Sequence, residues 1–170
     1  MTLDDLNAMP PGEFVAKLGG IFEHSPWVAE AVVDARPFAN VGQLHAAMCD
    51  AVATAPVERQ LALVRAHPEL AGRAAIRNEL TEASKREQSG AGLDQCSAEE
   101  FAQLGQLNAA YNGRFGFPFV VAVRGLTRGD IIDAMAVRLG NTPDEELAEA
   151  LHQVGRIAGF RLADLLKNGA

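Results

Sequence analysis

Three residues of this chain combine into a definite kind of chemistry. His67 can carry a proton near neutral pH, Glu87 supplies a carboxylate, and Arg161 can hold an anion. The set suits cofactor-free proton transfer on a small anionic substrate, although by itself it names no reaction. His67 stands directly before Pro68. A residue before proline is pushed out of the helical region, so the ring should project from the end of a helix. Ser84, Glu87 and Gln88 lie at i, i+3 and i+4 in the run Ser84-Lys85-Arg86-Glu87-Gln88. They therefore share one face of a short helix predicted from a Thr81 N-cap to a stop at Gly90. Two readings fit this stretch: a polar pocket, or a helix-terminal histidine beside a solvated charge run.

Arg161 belongs to the last predicted helix, which Thr142-Pro143 opens and which runs to about residue 166. Leu147, Leu151, Val154, Ala158, Arg161 and Leu165 alternate steps of four and three, an apolar stripe with one arginine in it. Arg161 lies about 40° from the centre of that stripe, and Arg156 falls on the opposite face. A charge that faces the core needs an anionic partner, here Glu87, a ligand carboxylate, or both in turn. The alternative is an arginine that snorkels to the surface at the edge of the stripe.

Helical periodicity dominates the elements that must position these residues. Phe14, Leu18, Ile21 and Phe22 form a stripe after Pro10-Pro11-Gly12. Ser25-Pro26 starts a helix that Arg36-Pro37 stops, and a third spans about 41–55. A fourth, with Leu61 and Val64 inward, leads to His67. Ser97-Ala98-Glu99-Glu100 reads as a capping box for a helix carrying Leu104, Asn108 and Tyr111. Thr127 and Asp130 cap another, with Ile131, Ala134, Met135, Arg138 and Leu139 at helical spacing. The one strand-like run, Phe115 to Val123, has no evident pairing partner. Its backbone groups need partners if it is buried, either from a ligand rich in amides and carbonyls or from neighbouring side chains. The expected architecture is all-α: a single-domain helical bundle over residues 1–170 with one short extended segment near 117–123.

Composition narrows the function classes. A chain of 170 residues with 48% hydrophobic residues can bury a sizeable core. Its formal charge of −7, with no basic stripe, argues against nucleic acid as a partner. No run of about 18 apolar residues predicts a membrane span, and the acidic start lacks the order of a signal peptide. Cys49 and Cys96 show neither metal-ligand nor redox spacing, which points to reduced thiols in a cytoplasmic protein. A metal site joining His67, Glu87 and a further group such as His152 has no spacing to support it.

Three motifs then occur in order: H-P-E-L-A-G at 67–72, S-K-R-E-Q at 84–88 followed by A-G-L at 91–93, and F-G-F-P-F at 115–119. Together they resemble the OHCU (2-oxo-4-hydroxy-4-carboxy-5-ureidoimidazoline) decarboxylases, over nearly the whole chain. Each motif alone is weak, whereas the ordered set is highly specific. One departure is Arg114, where the family more often has lysine. The resemblance implies an all-helical homodimer, no metal or organic cofactor, and decarboxylation of a small anionic ureidoimidazoline to S-allantoin in urate breakdown. It places catalytic roles at His67, Glu87 and Arg161. Substrate contacts would come from Pro68, from Ser84, Lys85, Arg86, Glu87 and Gln88, and from the backbone of Phe119, Val120, Val121, Ala122 and Val123. His67 would act as general acid, while Glu87 would act by its charge or by orienting the ligand. The rival is a non-catalytic, ligand-binding or regulatory module on the same fold.

Overall fold

Capping chemistry sets the helix starts. Thr2, Ser97 and Thr127 each accept a hydrogen bond from the N–H three residues on, and Asp5, Glu100 and Asp130 reach back to the cap's own N–H. Two orphaned donors are satisfied at each start. Thr142 and Glu145 form the same reciprocal pair, while Asn40 and Thr81 cap with the side chain alone.

The computed structural model describes residues 1–167, the side chains of Arg73 and Ala74 excepted. In chain order the helices are α1 (Leu3–Ala8), α2 (Pro11–Leu18), α3 (Trp27–Val32), α4 (Val41–Ala53), α5 (Val57–Ala66), α6 (Arg73–Ile76), α7 (Glu82–Gly90), α8 (Ala98–Phe115), α9 (Arg128–Arg138) and α10 (Pro143–Lys167). The fold is all-α, and no strand occurs among the described residues. The chain forms two compact units: residues 1–66 with the stretch from Val154 onward, and residues 67–153.

In the first unit Leu6, Phe14, Leu18, Phe22, Leu44, Met48, Leu63 and Leu162 are buried. Each such side chain contributes about 1.5–3 kcal/mol. The expected stripe of Phe14, Leu18, Ile21 and Phe22 is inside, although α2 ends at Leu18 and the last two sit in the turn beyond it. On α4, His45 and Cys49 face Gly155 and Gly159 of α10, and a Cβ on either glycine would meet them at 3.3 Å. His45 Nε2 lies 2.7 Å from the Gly155 carbonyl. A carbonyl only accepts, so this nitrogen carries the proton.

Tyr111 anchors the second unit, with the rings of Phe115, Phe119 and Phe117 at 4.6, 5.4 and 6.0 Å. Gly116, at φ 73°, caps α8 and donates its N–H to the Asn112 carbonyl. This left-handed turn directs the chain into the non-helical segment 118–123.

Along α10 the buried line differs from the expected leucine stripe. Glu146, Ala150, Val154, Ala158 and Leu162 are buried in a row, with Gln153, Ile157 and Arg161 buried beside them, whereas Leu147, Leu151 and Leu165 are half-buried. Small alanines allow close approach along the line, and the larger leucines flank it. That rotation places a carboxylate, Glu146, fully inside.

Candidate functional site

The loop that carries His67 is tightly held. His67 follows the last residue of α5, as Pro68 requires, and is itself buried. The Gln88 side chain closes a bracket on the loop: its Oε1 accepts from the Ala71 N–H at 3.0 Å and its Nε2 donates to the Glu69 carbonyl at 3.4 Å. Asn108 Nδ2 donates to the Leu70 carbonyl at 3.1 Å, and Asn112 Nδ2 donates to the Glu69 carboxylate. Ala71 sits at φ 51°, an uncommon conformation for a side-chain-bearing residue. A Cβ on the next residue, Gly72, would come within 2.7 Å of Glu69 Cβ, so only glycine fits there without a shift.

Helix α7 presents the predicted face. Thr81 caps it, Ser84 and Gln88 are buried, and Glu87 is half-buried between solvent and protein. The helix runs through Gly90, and the left-handed residue that follows it is Gly92, φ 76°. Lys85 and Arg86 are exposed, because successive helical residues turn by about 100° away from the Ser84–Gln88 face. Pro68 is half-buried. Both ends of the Gln88 amide bond the loop, so this residue joins the loop to the helix.

Segment 119–123 obtains partners on one edge from side chains, which the sequence left as one of two alternatives. The Val120 carbonyl accepts from Arg138 Nη1 at 2.7 Å, and the Ala122 N–H donates to Gln153 Oε1 at 3.0 Å. The Val123 carbonyl accepts from the Leu126 N–H in a turn. Phe119, Val120, Ala122 and Val123 are buried and Val121 is half-buried. Arg138 is paired with Glu146, which also accepts from the Tyr111 hydroxyl. Burial, then the hydrogen bond and charge of Glu146, push the Tyr111 phenol far above its ordinary range, so it stays protonated and donates. Sequence reading passed over this network, yet the signal existed: Arg138, like Arg161, is a charge in an apolar helical stripe.

Arg161 lies in the first unit and is inward, as its spacing predicted. Its Nη2 donates to the Glu23 carboxylate at 2.7 Å, with side-chain exposures of 8% and 1%, and its Nη1 to the Gly20 carbonyl at 3.2 Å. The carboxylate here is thus Glu23, which sequence spacing did not single out. Glu23 falls beyond the end of α2, where helical periodicity no longer marks a face. Arg156 is exposed.

Among the described residues, no three His, Cys, Asp or Glu side chains gather as metal ligands would. His152 is exposed. Burial pushes both thiols, Cys49 and Cys96, above the ordinary cysteine range, and both are free. No described helix is long and apolar enough to cross a membrane.

The helical architecture has counterparts among known proteins. The OHCU decarboxylase family model matches residues 7–163, spanning both units. The chain is 43% identical to the 2-oxo-4-hydroxy-4-carboxy-5-ureidoimidazoline decarboxylase of Haloferax volcanii, over 96% of this chain and 95% of the relative. It is 41% identical to the uric acid degradation bifunctional protein PucL of Bacillus subtilis, over 97% of this chain and 33% of that protein, so it spans one third of that longer relative. A crystal structure of (S)-allantoin synthase superposes with a TM-score of 0.80 at 33% identity, covering 98% of this chain and 54% of that one. With the H-P-E-L-A-G loop, the α7 face and the F-G-F-P-F turn all falling inside the matched span, the chain belongs to the OHCU decarboxylase family.

Proposed function

We propose that this chain, as one domain over residues 1–170, decarboxylates 2-oxo-4-hydroxy-4-carboxy-5-ureidoimidazoline to S-allantoin without a metal or organic cofactor. Membership of the family supports the reaction. The observation that carries the residue assignment is the Gln88 bracket. It makes the loop bearing His67 and the helix bearing Glu87 one fixed piece, as two groups acting on one substrate require.

In the proposed reaction the bond between the ring and the carboxylate breaks and CO2 leaves. The electron pair passes into the adjacent C=N bond of the ring, so that the charge comes to rest on nitrogen until the ring carbon is protonated. His67 acts as general acid and delivers a proton to one face, which fixes a single enantiomer. Glu87 either disfavours the departing carboxylate by its charge or orients the ring and ureido donors by hydrogen bonds. Arg161 takes the anion-binding role, and Pro68, Ser84 to Gln88 and the backbone of 119–123 contact substrate. Both thiols are free, which supports a reducing, cytoplasmic setting. The working form is a homodimer, which light scattering would register as twice the chain mass.

The test generates the unstable substrate in place from urate with the upstream enzymes and follows the circular dichroism of allantoin. His67→Asn should stay folded and lose about 10²–10⁴-fold in rate together with the stereochemical bias. Glu87→Gln should slow turnover if its charge acts and retain much of the rate if it only orients. Exhaustive chelation should leave the rate unchanged. A folded His67→Asn protein with wild-type rate and enantiomeric excess would remove His67 from the mechanism.

A further inference from the structure

Arg138 and Glu146 form a buried ion pair with no part in the chemistry above, at 2.5 Å and with side-chain exposures of 10% and 0%. Such a pair is weak evidence for stability, because both charges lose their water and an apolar pair of similar volume often serves as well. What these two side chains do that an apolar pair would not is grip segment 119–122. Arg138 Nη1 donates to the Val120 carbonyl at 2.7 Å, and its guanidinium carbon lies 4.3 Å from the centre of the Phe119 ring. Glu146 takes the Nε–Nη2 edge of the guanidinium and is itself fixed by Tyr111 and Asn141. Gln153 takes the Ala122 N–H at 3.0 Å, with its own amide nitrogen tied to Glu149 at 2.8 Å.

Residues 120 and 122 are two apart. In an extended chain the N–H and C=O of alternate residues point to one side, and those of the residue between point to the other. Val121 therefore offers its N–H and C=O on the edge opposite Arg138 and Gln153. Among the described residues, neither group has a protein partner.

We propose that Arg138, Glu146 and Gln153 are positioning residues for substrate recognition: they occupy one edge of segment 119–123 so that the Val121 N–H and C=O are held as a rigid donor–acceptor pair. That pair complements a ligand group carrying an N–H beside a C=O, as a ureido or lactam unit does. The proposal rests on the reading that this segment contacts substrate.

The test uses Arg138→Met/Glu146→Leu, which removes both charges and leaves neither unpaired, and Gln153→Leu, which removes the bond to Ala122 together with the one to Glu149. Arg128→Met, which breaks the ion pair with Glu100 and the hydrogen bond to the Gly92 carbonyl, is the control. Two readouts are taken: amide hydrogen exchange at Val121 and Ala122, and kcat and KM. Both positioning variants should raise KM about tenfold or more, with kcat within about threefold of wild type, whereas the control keeps its KM. The Ala122 amide, hydrogen-bonded to Gln153 in wild type, should exchange faster in both. Folded variants with wild-type KM and unchanged Ala122 protection would overturn the proposal. If the double variant does not fold, Gln153→Leu decides alone. A wild-type protein that forms no allantoin would sink the functional reading instead, and the exchange data would still judge the bracket: unchanged protection in the variants refutes it.

Discussion

Replacing Arg161 by alanine separates what this side chain does for the fold from what it does for substrate. The substitution leaves the Glu23 carboxylate, 1% exposed, without the guanidinium now 2.7 Å away. Breaking one side of a buried pair costs about 3–5 kcal/mol, against a typical total stability of about 5–15 kcal/mol. For a chain of this length each kcal/mol moves the midpoint by about 2–4 °C, so Arg161→Ala should melt roughly 6–20 °C lower. Glu23→Gln/Arg161→Met removes both charges and should recover most of the stability, because the desolvation penalty disappears with them. Turnover should stay low in both variants if Arg161 binds the substrate anion. Arg156→Ala, on the exposed side of α10, should remain within about 0.5 kcal/mol of wild type. Thermal melts, urea titrations and the coupled allantoin assay read all three. A double variant that regains turnover along with stability would show that Arg161 acts only through the fold. A loss below about 1 kcal/mol in Arg161→Ala would show that the pair is not desolvated.

Gly72→Ala forces a Cβ to within 2.7 Å of Glu69 Cβ, so the His67 loop must shift. A stability loss of about 1–3 kcal/mol and reduced turnover are expected, and wild-type values for both would show that the loop yields freely. Asp5, Glu100 and Asp130 are held below the ordinary carboxylate range, chiefly by the backbone N–H of Thr2, Ser97 and Thr127. A depressed folded value means that the stabilisation is complete above the ordinary range and is lost as pH falls through the folded values. The urea midpoint should therefore drop as pH falls below about 4, and more shallowly in Asp5→Asn/Glu100→Gln/Asp130→Asn. Equal slopes in the two proteins would remove the capping boxes as the cause.

Local features were legible in the sequence because their physics closes within a few residues. The Ser97–Glu100 and Thr127–Asp130 boxes span four residues each, Pro68 keeps His67 out of α5 by a clash with its immediate neighbour, and the Ser84–Gln88 face follows from helical pitch. The ordered motifs pointed to the family for the same reason: they are short strings read directly. Periodicity even turned Arg161 inward. It could not name Glu23 as the carboxylate there, because the two lie 138 residues apart and one of them sits outside any helix. Nor could it show that Gln88 spends its amide on the His67 loop, or that Arg138 and Gln153 take one edge of segment 119–123. Helical spacing reports that a polar group faces inward. Which distant group meets it depends on how whole helices pack, and that packing is why Glu146, rather than Leu147, opens the buried line of α10.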